Sequence, residues 1–279
     1  MDALSKKEIE LFIQQFEAKT LPKPQWTHEA HLVVAVWYSY SYGFSEALRL
    51  IRGHIIKFNE SVGTPNTDTS GYHETMTRFW LISTKEFLIR QEFTSLVEAC
   101  NAFLHSDLAK KNLPLEFYSR EKLFSIHARH NWVGPDKKPL EKLTEFLKKN
   151  VKEVQTHASL SDALFENLFE IGTFPVSLFS HEAHLRLAWI HIKKYGKEKA
   201  VENVCSQLLQ FVEAVGVSDK YNQTLTIAAV NVVNHFINQS ATDNFFDFIA
   251  EFPQLKNNFK TLITNSHDLH NPIHLSERR

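Results

Sequence analysis

The chain repeats itself. Phe16-Glu17-x-x-Thr20-x-Pro22 recurs as Phe169-Glu170-x-x-Thr173-x-Pro175. Trp26-Thr27-His28-Glu29-Ala30-His31-Leu32 recurs as Phe179-Ser180-His181-Glu182-Ala183-His184-Leu185. Tyr42-Gly43, Phe58 and Val62-Gly63 then match Tyr195-Gly196, Phe211 and Val215-Gly216, all at the offset of 153 that separates His28 from His181. Further on, Tyr72-x-x-Thr75-x-Thr77 matches Tyr221-x-x-Thr224-x-Thr226 at an offset of 149, so the first copy carries four extra residues in its 64–71 loop. Ordered, nearly gapless matches over about a third of each half point to duplication of one unit. Pro135 and Pro139 bracket Asp136-Lys137-Lys138, a linker signal that sets expected domains at 1–138 and 139–279.

Within each copy the apolar residues follow a helical period. Ile9, Phe12, Ile13 and Phe16 mark one face of an opening helix. Thr27 is placed to cap a second helix ending at Gly43, with Ser180 and Gly196 in the same parts of the second copy. Further helices are expected over 45–62, from about Gly71, over 93–110, after Ser119 and over 140–154. Only 8 glycines and 9 prolines punctuate the chain, too few for a turn-rich sheet protein. The expected fold is all-α: two duplicated helical-bundle units packed as a pseudo-symmetric pair.

Charge narrows the partners. With 31 basic and 32 acidic residues the formal net charge is −1, so no global field draws the chain to nucleic acid or an anionic membrane. The N-terminal stretch Met1 to Glu17 mixes charge with Leu and Phe and has no signal-peptide pattern, and no apolar run is long enough to span a bilayer. The two cysteines, Cys100 and Cys205, read as small core residues in a reducing compartment. The expectation is a cytoplasmic protein.

Chemistry-bearing residues gather in three segments. In Thr27-His28-Glu29-Ala30-His31 two histidines three apart share one side of a helix start, where the dipole favours neutral imidazole. Gly71-Tyr72-His73-Glu74-Thr75 adds a third imidazole and a carboxylate. His28, His31, His73 and Glu74 together would suit Zn, Fe or Mn, with Tyr72 and Thr77 supporting the site or binding a ligand. The second copy keeps His181 and His184 but reads Asn222-Gln223 where the first has His73-Glu74, which places a single site in the first half. A competing reading makes all these groups a structural polar network, with Glu74 paired to Arg78 one turn on. In the third segment, Tyr118 to Asp136, Ser119 is a cap, and Arg120 and Arg129 can either clamp an anion or sit solvated on the surface. The aromatics Trp37, Tyr38, Tyr40 and Tyr42 either line a pocket or pack, and His267, His270 and His274 read as surface histidines of a polar tail.

These motifs, Trp26-Thr27-His28-x-Ala30-His31-Leu32, Gly71-Tyr72-His73-Glu74-Thr75-x-Thr77-Arg78-Phe79, Tyr118-Ser119-Arg120-Glu121-x-Leu123 and Ala128-Arg129-x-x-Trp132-Val133-x-Pro135-Asp136, resemble an uncharacterised, all-helical bacterial family. The second half resembles a diverged member, departing at Asn222-Gln223. The resemblance implies the unit and its motifs and brings no activity with it.

Two functions from different classes follow. One is a metal-dependent enzyme acting on a small molecule, anionic or neutral, with Glu74, Arg120 and Arg129 in catalysis. The other is a non-catalytic small-molecule-binding protein or an interaction scaffold with structural histidines.

Overall fold

The computed structural model describes residues 3–146 and 155–263, and all regular elements among them are helical. The tail histidines and the expected helical continuation over 147–154 lie outside the described residues. No described helix is long and apolar enough to cross a membrane. The chain divides into two compact units. The first holds the described residues up to 146 with Glu170–Thr173 and Glu213–Gly216, and the second holds 155–169, 174–212 and 217–263.

In the first unit, α1 (Lys6–Ala18) opens on a capping box: Ser5 and Glu8 satisfy each other's backbone N–H groups. Its face of Ile9, Ile13 and Phe16 is buried as the period requires. Thr27 caps α2 (His28–Ser41) by accepting from Ala30 N at 3.3 Å. That helix is apolar on nearly every side, with Leu32 to Val36 all buried, so it occupies the centre of the unit against α3 (Phe44–Ser61), α4 (Glu74–Ile89) and α5 (Leu96–Leu104). Phe16, Val34, Phe58, Phe79, Phe103 and Phe117 are each fully buried in the core around it.

Gly43 does not stop α2. Its φ of −60° makes it the N-cap of α3, and the helix ends at Tyr42 in extended geometry. The expected long helix over 93–110 is shorter, because Ser106 restarts the chain as a 3-10 turn, Asp107–Ala109. Three short helices follow: α6 (Pro114–Phe117), α7 (Arg120–Leu123) and α8 (Ile126–His130). Leu140 and Leu143, in the 3-10 segment Leu140–Phe146, are buried in this same core.

The second unit holds all but the C-terminal ends of α9 (Asp162–Ile171) and α11 (Lys197–Val215), together with α10 (His181–Tyr195), α12 (Gln223–Ile237), α13 (Phe245–Glu251) and α14 (Gln254–Asn257). Ser180 caps α10, accepting from Ala183 N at 3.2 Å, and Gly196 at φ +79° ends it. Arg186, 2% exposed, is the unusual group of this core. It donates to Asp162 Oδ1 (3.0 and 2.6 Å) and to the carbonyls of Leu160 (2.8 Å) and His157, and stacks on Phe165 at 4.6 Å. Cys100 is fully buried and its thiol is pushed up to about 12 by desolvation, whereas Cys205 is half-buried.

Candidate functional site

The histidines of α2 are held by backbone carbonyls. His28 Nε2–H donates to Ala109 O at 2.9 Å, and its ring meets Trp80 edge-on at 5.1 Å. His31 Nδ1–H donates to Thr27 O at 2.6 Å and lies against Trp26 at 3.9 Å between ring centres. Burial holds the His31 pKa below the ordinary imidazole value, so it is the neutral ring that is accommodated. The second ring nitrogen of each, Nδ1 of His28 and Nε2 of His31, makes no hydrogen bond among the described residues. Glu29 stays at the helix start, its carboxyl held low by its own backbone N–H and by Thr27.

His73 is a helix cap. Its Nδ1 accepts from Met76 N at 3.3 Å, which forces the proton to Nε2, and Nε2–H donates to Leu123 O at 3.0 Å. Both nitrogens are used within the fold. In the second unit Asn222 Oδ1 takes the same part, accepting from Leu225 N at 2.9 Å at the start of α12. The His/Asn difference therefore preserves a cap.

Glu74 follows at the first helical position and is buried. Arg52, reaching across from α3, donates Nε and Nη2 to its two oxygens at 2.9 and 2.5 Å, and the Tyr72 hydroxyl donates to Oε2 at 2.7 Å. The expected Glu74–Arg78 ion pair does not form. Arg78 instead lies over the Trp132 ring at 4.7 Å.

The remaining motif residues stitch this corner together. Thr75 Oγ1 donates to Asn131 O (2.7 Å) and accepts from Val133 N (3.2 Å). Asp136 accepts both the backbone N–H (2.8 Å) and the hydroxyl (2.6 Å) of Ser119, so the Tyr-Ser-Arg and Pro-Asp segments are one structural clasp. Arg129 Nη1 donates to Gly71 O (3.2 Å) and Tyr72 O (3.0 Å). Arg120 is exposed and lies over Phe124 at 5.3 Å.

Two cavities open on these groups. The larger, about 970 Å³, is lined by His28, His31, His73, Tyr72, Thr77 and Arg129 from the expected site, and by Trp26, Trp80, Met76, Phe124 and Lys111. The smaller, about 510 Å³, is lined by Arg52, Asn66, Tyr72, Glu74, Arg129, Asn131 and Trp132. So Glu74 opens on a different cavity from the three histidines, and Arg120 lines neither. Among the described residues no group of three or more His, Cys, Asp or Glu side chains is placed to hold a metal ion. The stripe of Trp37, Tyr38, Tyr40 and Tyr42 lines neither cavity; Tyr38 donates to Glu17 at 2.7 Å.

Sequence reasoning missed Arg52 and Asn66. Arg52 is 22 residues from Glu74, beyond any local spacing rule. Asn66 organises the longer 64–71 loop, accepting from Tyr72 N (2.9 Å) and donating to Ile56 O (3.1 Å). The loop's extra length was its one visible signal. Comparisons with protein-family models, with curated proteins and with solved structures returned no match, so the functional reading rests on this chain's own residues.

Proposed function

We propose that the first unit binds a small molecule with a flat, largely apolar body and an anionic group, seated in the larger cavity. The carrying observation is the composition of that cavity: Trp26, Trp80, Tyr72 and Phe124 supply ring surfaces, Arg129 and Lys111 supply positive charge, and among the described residues no carboxylate lines it. Its volume of about 970 Å³ falls in the range of small-molecule sites, which pair apolar walls with a few polar groups. The test is thermal stabilisation by a panel of aromatic acids beside their uncharged analogues. The acids raise the unfolding midpoint more than the analogues do, and Trp80→Ala removes the shift. No shift with any ring compound would overturn the reading.

The metal-dependent enzyme is a second reading, favoured by one observation: His28 and His31 line the same cavity, and each has a ring nitrogen that makes no hydrogen bond among the described residues. In this reading they would hold Zn, Fe or Mn with solvent or substrate completing the set, and Arg129 would orient the substrate. Metal content measured on chelator-free protein and on a His28→Ala/His31→Ala variant decides it.

We also infer that the two units are copies of one ancestor. The repeat supports this, and so do matched contacts within each unit: His181 Nε2–H donates to Leu255 O (2.9 Å), His184 Nδ1–H to Ser180 O (2.9 Å), and His184 lies on Phe179 at 3.9 Å.

A further inference from the structure

The copies differ where the smaller cavity lies. Carrying the repeat offsets onward, Arg52 corresponds to Cys205 and Glu74 to Gln223, while Asn66 belongs to the loop that is four residues longer in the first copy. Arg129 comes from a segment with no clear counterpart in the second copy. These four groups line the same cavity of about 510 Å³. The groups both copies share, the paired histidines and the cap at 73 and 222, are bound instead to backbone.

The walls of this cavity are rich in donors and positive in sum. Arg52 and Arg129 face one carboxylate, Glu74, and the imidazole of His130 is tied to Asp68 at 2.7 Å. Arg129 uses only Nη1 on the Gly71 and Tyr72 carbonyls, which leaves Nε and Nη2 without an acceptor among the described residues. Trp132, which lines the cavity, has a buried Nε1 that also lacks an acceptor, as does the Nε of Arg78 stacked on its ring. A positive, donor-rich cavity is completed by a group that only accepts, and guanidinium edges match the oxygens of carboxylate and phosphate. We propose that this cavity is a second binding site, for a small oxyanion group carried as a carboxylate or a phosphate. Glu74 holds Arg52 by two of its nitrogens and therefore competes with the anion for it.

The test is calorimetric titration of the full chain with sodium acetate and with inorganic phosphate, on the parent, Glu74→Gln, and Arg52→Cys/Glu74→Gln. The double variant installs the residues found at the matching positions of the second copy. At least one anion binds the parent with a stoichiometry of one, and the stronger of the two names the group. Glu74→Gln binds it several-fold tighter, because Arg52 is released, and the double variant binds it about tenfold weaker than the parent, the loss of one charge-assisted contact. No saturable binding of either anion to the parent overturns the proposal, as does Glu74→Gln binding no tighter than the parent. Arg129→Lys, which keeps the charge and removes the planar fork, also weakens binding and serves if a Glu74 variant fails to fold. Benzyl alcohol, a ring without an anion, probes the larger cavity separately, so failure there leaves this site standing.

Discussion

His73 shows how a residue that looks like a ligand is claimed by the fold. One ring nitrogen caps α4 and the other latches Leu123, so the imidazole bridges two elements that lie 50 residues apart. His73→Ala is expected to cost about 1–2 kcal/mol, while His73→Asn keeps the cap, as Asn222 does, and costs less; urea denaturation of the two variants measures the difference. Gly71 is a second constrained residue. At φ +74° an added Cβ would stand 2.6 Å from both Asn66 Oδ1 and Pro65 O, so Gly71→Ala is expected to lose more than about 1 kcal/mol and to disturb the 64–71 loop. The residue types at both positions were legible in the sequence. Their roles were not, because a cap and a metal ligand ask for the same lone pair, and only the partner distinguishes them.

Helix starts were the most legible elements. Thr27, Ser119 and Ser180 cap where their side chains and the following apolar period place them. Stops were less so: Gly43 begins a helix, and Ser106 breaks one that apolar spacing alone would continue. Pairings between elements were hidden. Glu74 has Arg78 one turn away, yet Arg52 on α3 takes it, because Arg78 is drawn under Trp132. Arg186 on α10 is another such case, at a position where periodicity calls for an apolar residue. Its guanidinium fixes Asp162 and the 157–160 turn, so Arg186→Met, which leaves buried carbonyls without a donor, is expected to destabilise the second unit by about 1–3 kcal/mol, read from its urea midpoint.

At the scale of the whole chain, burial of neutral imidazole is repeated in both units. His31, His73 and His184 all have pKa values lowered below the ordinary 6.5, chiefly by desolvation. The unfolded chain therefore takes up protons first. Their contribution to stability is complete above about pH 6.5 and falls as pH drops toward the folded values, so the unfolding midpoint should decline as pH is lowered below about 6.5. With a net charge of −1 the chain has no global pull on polyanions, and recognition rests on local charge, at Arg129 and Lys111 in one cavity and at Arg52 and Arg129 in the other. Binding of ring-bearing anions in the larger cavity is what the rest depends on. Its most direct test is calorimetric titration of the parent and of Arg129→Met with benzoate and with benzyl alcohol. Benzoate is expected to bind more tightly than the alcohol and to be displaced by it from the larger cavity, with Arg129→Met removing most of that preference. Equal or absent binding of both compounds, or a preference for benzoate untouched by Arg129→Met, would contradict it.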